Sequence, residues 1–236
     1  MIPHLFTPPR KQDNALAGLG RIPQPDSRNE KFRLAKPHLP PGVRTRAWNF
    51  GAVLDQGDTP QCVGYATKGY LKCGPITNPT PSLSPTDLYH KAQQNDEWPG
   101  EDYDGSSTLG AMKTLMELGL IGEYRWAFDV DTIFAHVLAK GPVMMGTWWT
   151  MDMFPTTGGW LMPTGETVGG HEWVIVGANL DKVCPYDDSV GALRMVNSWG
   201  PSWNENGRAW VSRKAAKWLL ETDGEAVTPT EIKVIA

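Results

Sequence analysis

The chain has 236 residues, enough for one large domain or two lobes sharing a core, and it can bury that core without staples. Its 22 Lys+Arg are outnumbered by 26 Asp+Glu, a net charge of −4, so there is no overall basic field to hold phosphate backbones and no nucleic-acid partner is expected. Apolar stretches are broken by Gly, Pro or charge well short of the roughly 18 residues a membrane helix needs, so no membrane partner is expected either. Met1–Gly20 shows no continuous apolar h-region, and the expectation is a soluble, cytoplasmic protein.

Residues 1–41 hold eight of the 20 prolines and seven Lys+Arg (Arg10, Lys11, Arg21, Arg28, Lys31, Arg33, Lys36) against Asp13, Asp26 and Glu30. Proline fixes φ and deletes donors, so this segment reads as an extended basic arm. With +4 on the arm and −8 on the remainder, the arm is expected to lie across the acidic body rather than to hang free as a solvated tail. Residues 42–236 read as the body. From Thr59 to Leu71 the pattern predicts a helix beginning near Pro60. A second helix is predicted over Thr108–Leu118, capped by Ser106 or Ser107 and stopped at Gly119, and a third over Asp131–Lys140, ended by Gly141 and Pro142. Beyond Pro142 the short apolar segments Val143–Thr147, Glu172–Ala178, Ala192–Asn197 and Arg208–Ser212 predict strands. Helices first and strands second mean α+β, with a helical lobe over about 59–140, a β lobe over about 141–236, and a cleft between them for a site.

Three cysteines, Cys62, Cys73 and Cys184, cannot all pair within one chain, so at least one thiol is free. Cys73 and Cys184 have no His at metal-ligand spacing and read as structural; no metal or cofactor is implied. A thiol nucleophile needs a stabilised anion, a base, something to orient the base, and an oxyanion donor. Cys62 falls at the start of the first predicted helix, where unpaired N–H groups and the macrodipole are expected to lower its pKa. His171 follows Gly169-Gly170 at the mouth of a strand. Asn197 ends another strand in Asn197-Ser198-Trp199-Gly200, where its carbonyl can orient an imidazole. Gln56, six residues before Cys62, carries an amide donor.

Taken together, Asp55-Gln56-Gly57, Cys62, Gly170-His171 and Asn197-Ser198-Trp199-Gly200, with Trp203 and Gly207 beyond, resemble the papain-like cysteine peptidases over roughly residues 39–212. The resemblance implies the two-lobed papain-like fold, with Cys62 as nucleophile, His171 as base and acid, Asn197 orienting it, Gln56 in the oxyanion hole and Trp199 shielding the His–Asn bond. It also implies that the main chain of Asp104-Gly105-Ser106 pairs with an extended substrate. Gly146, Gly169 and Glu172 would then lie near the pocket for the side chain two residues before the scissile bond, with Gly170 and Trp199 also against the substrate. Glu172 in that pocket would favour Lys or Arg, unless it points elsewhere and pairs with a local base.

The departures are specific. The family's Cys-Gly-Ser/Ala-Cys-Trp/Tyr is here Thr59-Pro60-Gln61-Cys62-Val63, so the usual upstream cysteine and its disulfide are missing and the wall beside the nucleophile is smaller. His171 lies 109 residues after Cys62, closer than the roughly 130 to 150 of plant and lysosomal members. Arg21-Ile22-Pro23-Gln24-Pro25 and Leu39-Pro40-Pro41-Gly42-Val43 look like the opening of bacterial and phage-type members. The arm is shorter than the family's propeptides, which argues against autoinhibition by a removable prodomain. The expected activity is a cysteine endopeptidase acting on peptide or protein; the alternatives are a peptidoglycan-cleaving amidase or peptidase of the same fold, and a non-catalytic phage structural or binding module. The acidic run Asp96, Glu97, Glu101, Asp102, Asp104 reads as a solvated loop, with calcium as the competing reading. The tryptophan cluster Trp148, Trp149, Trp160 reads as core rather than a carbohydrate platform.

Overall fold

The computed structural model describes residues 18–78, 82–98, 100 and 102–233; the arm residues before Gly18, and Glu101, lie outside them. The first body strand is β1 (Thr45–Ala47), and three helices follow: α1 (Cys62–Lys72), α2 (Pro85–Asn95) and α3 (Thr108–Glu117). Next come β2 (Tyr124–Ala127), α4 (Val130–Ala139), β3 (Val143–Thr150), β4 (Thr167–Val183), β5 (Val190–Val196), β6 (Arg208–Ser212), α5 (Arg213–Glu221) and β7 (Glu225–Pro229). The strands form an antiparallel sheet in the order β2-β7-β3-β4-β5-β6, with β1 paired to β4. Among the described residues no helix is long and apolar enough to cross a membrane.

Local chemistry sets the helix starts. Ser107, not Ser106, caps α3 by accepting from the Gly110 amide at 2.9 Å; Asp129 and Ser212 do the same for α4 and α5. A reciprocal capping box, Ser84 with Asp87, and Pro85 at the first position start α2, which the sequence reading did not include. Helix α5 was likewise absent from that reading. The long strand β4 extends five residues before and five after the predicted Glu172–Ala178, because Thr167-Val168-Gly169-Gly170 reads as loop until its pairing with β3 is seen.

Side-chain alternation along β3 and β4 organises the core. Trp173 and Ile175 of β4, with Val143, Met145 and Trp149 of β3, face a cluster that includes α4 and α5. Val174, Val176 and Met144 face the opposite cluster, under α1, α2 and α3. Extending the alternation upstream puts His171 on the Trp149–Trp173 face and Glu172 on the helical face. The two neighbours therefore serve different walls.

Candidate active site

Cys62 is the first residue of α1, preceded by Gln61 as an N-cap without a side-chain cap bond. The main chain of Glu172, Gly20 and Val63 lies near enough to the sulfur to favour its anion. The Glu172 contact sets Cys62 beside the His171–Glu172 peptide. His171 Nε2 is 2.7 Å from the Asn197 side-chain oxygen. Asn197 reaches it because β5 is paired with β4, and its own amide donates to the Gly207 carbonyl at 2.9 Å.

The imidazole sits in an aromatic box. Trp199 stacks on it at 4.7 Å between centroids and Trp149 presents an edge at 4.8 Å, while Phe154 stacks on the far side of Trp199. Trp149 and Phe154 were not singled out as site residues in the sequence, since both reach His171 only through strand register and the turn after β3. Gln56 is oriented by Ser198, whose hydroxyl donates to its Oε1 at 2.5 Å. Its Nε2 donates to the Thr59 carbonyl at 2.6 Å and to the carbonyl of Gly18 at 3.1 Å.

Gly18 belongs to the arm, and the arm fills the cleft. The Gly18 carbonyl also accepts from Trp199 Nε1 at 3.3 Å. The amides of Gly20 and Arg21 both donate to the Gly170 carbonyl at 3.0 Å. Ser106 donates to Gly20 at 2.9 Å and accepts from Ile22 at 2.8 Å, a parallel bridge centred on Arg21. Gly105, at φ 108°, has its amide on the Tyr89 hydroxyl and passes so close that a Cβ would lie 2.4 Å from the Gly20 oxygen. A Cβ on Gly20 would lie 2.0 Å from the Pro60 oxygen, so the arm crosses the nucleophile's loop only as bare backbone. The arm's shortness thus does not keep it out of the cleft: five extended residues, 18–22, span the site.

Burial by the arm reverses one expectation. The helix terminus was expected to lower the Cys62 pKa, but desolvation outweighs it and pushes the thiol up to about 12. Burial likewise drives His171 down to about 4, against a smaller upward pull from Asn197 and the Gly18 main chain. With the arm in place both groups are neutral across the physiological range. His171 Nδ1 is buried without a hydrogen-bond partner.

Beside Cys62 lies an acidic pocket. Glu172, fully buried, accepts from Thr108 Oγ1 at 2.7 Å, and burial pushes its carboxyl up to about 8. Gly146, paired with Glu172 across β3 and β4, leaves the floor open. Glu225, at the start of β7, closes the pocket; no local motif marks it, and only the β3–β7 pairing brings it here. In the acidic run, Asp96 is structural, accepting from the Tyr103 and Ser106 hydroxyls at 2.7 and 2.9 Å. Among the described residues no group of three or more His, Cys, Asp or Glu is arranged to hold a metal ion. Cys73 and Cys184 are buried and free, as is Cys62.

A comparison with protein-family models finds no match. The crystal structure of xylellain, a cysteine protease from Xylella fastidiosa, superposes with a TM-score of 0.69 at 19% identity, covering 96% of this chain and 98% of that one. Recombinant stem bromelain precursor gives 0.59 at 14% identity, covering 91% and 78%. The chain therefore has the papain-like α+β fold that the motifs implied. In sequence, a 79-residue stretch is 34% identical to cathepsin B-like cysteine proteinase 4 of Caenorhabditis elegans; it makes up 33% of this chain and 22% of that protein. The chain thus spans about a fifth of the length of the curated relative it matches.

Proposed function

We propose that this chain is a cysteine endopeptidase, held latent by its own amino-terminal arm. In the open enzyme the Cys62 thiolate attacks a peptide carbonyl carbon. His171, having taken the thiol proton, gives it to the leaving amine as the C–N bond breaks. Water, deprotonated by His171, then attacks the thioester, and collapse releases the carboxylic acid and the Cys62 thiol. Gln56 Nε2 and the Cys62 amide hold the developing oxyanion.

The observation that carries this reading is the arm's Gly18 carbonyl on Gln56 Nε2, beside an imidazole fixed by Asn197: an extended peptide already lies with a carbonyl on the oxyanion donor. The names of the similar proteins, cysteine proteases and a bromelain precursor, agree with it.

The arm escapes cleavage by its direction. Its amino end, Gly18, lies at Gln56 and Trp199, while Arg21 and Ile22 lie at Ser106 and the acidic pocket. A productive substrate of a papain-like site has its amino-terminal side at that pocket, so the arm runs backwards and presents the Gly20 amide to Cys62.

Incubating the reduced protein with a proteome-derived peptide library, beside Cys62→Ala, tests the chemistry by mass spectrometry. New termini that need Cys62 support it; equal cleavage by Cys62→Ala rejects it.

A further inference from the structure

Helix α1 begins at Cys62 and strand β7 at Glu225. Near the other end of each, beside Tyr70 and Pro229, lies a cavity of about 620 Å³. The residues from Cys62 to Tyr70 carry it ~12 Å along the helix axis from the nucleophile, so it is no part of the cleft. Its volume is that of a small-molecule site, roughly 300 to 1,000 Å³.

The walls are of two kinds. Leu34, Pro75, Ile76, Pro142, Pro229 and Ile232 give aliphatic surface, and Ile76 is 46% exposed. Arg33, Arg125 and Lys140 bring three cations, and among the described residues no Asp or Glu lines the cavity, although the chain as a whole is acidic. Arg33 is paired with Glu30 and Arg125 with Glu123, whereas among the described residues the Lys140 ammonium has no hydrogen bond or ion pair. His136 also faces the cavity, and burial holds it neutral.

The hydroxyls that could read a polar ligand are already engaged. That of Tyr70 is 2.8 Å from Thr228 Oγ1, and that of Thr230 donates to Glu123 at 2.9 Å. An occupant therefore finds aliphatic surface and one unpaired ammonium but few hydrogen-bond partners. A hydrocarbon chain with a single anionic head matches both, while a sugar, base or peptide would give up its hydration without replacement. The walls come from five separate stretches of chain and enclose a hollow, which suits one acyl chain rather than the face of a bilayer.

We propose that this cavity binds a free fatty acid, with the carboxylate on Lys140 and the hydrocarbon among Leu34, Ile76 and Ile232. The site stands apart from the peptidase reading, since no residue of the cleft takes part in it.

Isothermal titration of the full chain with octanoate, decanoate and dodecanoate, each below its micellar concentration, tests it. One molecule is expected to bind, with affinity rising about fourfold per added methylene until the cavity is full. Dodecyltrimethylammonium should bind at least about tenfold more weakly than dodecanoate, because its charge meets cations. Lys140→Glu and Ile76→Asp, both at exposed positions, should each weaken dodecanoate by about tenfold with urea midpoints close to that of wild type. Octanoate binding as tightly as dodecanoate would mean an anion site without an acyl pocket, and would overturn the proposal. So would equal binding of the ammonium amphiphile, wild-type affinity in both variants, or no binding of any of the three acids. Sedimentation with phosphatidylglycerol vesicles by a protein that binds none of the free acids would assign the patch to a lipid surface, and would overturn it too.

Discussion

His171 is controlled by three contacts of different kind. Asn197 fixes the ring through one 2.7 Å hydrogen bond, Trp199 and Trp149 pack around it, and burial under these groups and the arm lowers its pKa. Asn197→Ala should therefore lower kcat while retaining some turnover, with little change in KM, since Asn197 touches the base and not the substrate. A steady-state comparison at saturating peptide checks this. Gln56→Ala should cost roughly 10²- to 10³-fold in kcat, the usual loss for one oxyanion donor. An unchanged kcat in that variant would remove Gln56 from the mechanism.

At this scale the sequence shows what is carried by short local motifs. Cys62, His171, Asn197 and Gln56 sit in recognisable runs; Cys62 starts α1, Asn197 follows the end of β5, His171 lies within β4 and Gln56 in the loop before α1. Glu225, Trp149 and Phe154 have no such signature; strand register and loop packing bring them to the site from distant segments.

Among the elements, the arm is the one that differs most from its composition. Its charge predicted attraction to an acidic body, yet among the described residues Arg28 and Arg33 pair with Asp26 and Glu30 of the arm itself, while Arg21 and Lys36 bridge to Glu225 and Asp131 of the body. What holds the arm is mostly main chain, the Ser106 and Gly170 bonds and the Leu34 amide on Trp126, with one side-chain bond from the Ser107 hydroxyl to Gln24. Backbone pairing has no signal in net charge. The glycines do carry one, since Gly18 and Gly20 flank Leu19 where any Cβ would strike Trp199 or Pro60. Gly20→Ala should lift the arm from Cys62, and faster alkylation of Cys62 at neutral pH is the expected outcome. A rate equal to wild type would mean the arm tolerates the methyl and is not clamped there.

Helix α3 shows the opposite case, an element whose position the sequence predicts closely because cap, apolar spacing and Gly119 agree. Ser107 both caps α3 and receives the arm through Gln24. Ser107→Ala should therefore destabilise the fold by about 1 kcal/mol, read from the urea midpoint. The missed α2 is largely polar, and its capping box, though present in the sequence, lay outside the segments with clear apolar periodicity.

Across the whole molecule, the sheet is a partition with different work on its two faces. One face packs α4 and α5 and carries His171; the other packs α1, α2 and α3 and carries Glu172. That division was only partly legible, because Asp131–Lys140 reads as one more helix of a helical lobe whereas α4 packs on the face opposite α1, α2 and α3. The sheet order was not, because β2 joins it from between α3 and α4 and β7 from the end of the body.

Burial also ties global stability to pH. His136, buried on α4, is held down to about 4, whereas in the unfolded chain it titrates near its ordinary 6.5. Between those values the unfolded chain binds a proton that the folded chain refuses. The stabilisation is therefore complete above about 6.5 and is lost as pH falls toward 4. Glu172, held up to about 8, titrates with the opposite sign and His171, also held down to about 4, with the same sign, so the total slope mixes all three. His136→Gln separates them: its urea midpoint should fall less than that of wild type on acidification from about pH 7 to about pH 4.5. Parallel midpoints in the two proteins would count against a neutral buried His136.

The central claim is that Cys62 is a catalytic nucleophile covered by the arm. Its most direct test is peptide-library cleavage by reduced wild type, Gly20→Ala and Gly20→Ala/Cys62→Ala, with products read by mass spectrometry. The account predicts cleavage by Gly20→Ala well above wild type and none when Cys62 is also replaced. Cleavage that survives the loss of Cys62, or a Gly20→Ala protein whose Cys62 alkylates rapidly yet cuts no peptide, would contradict it.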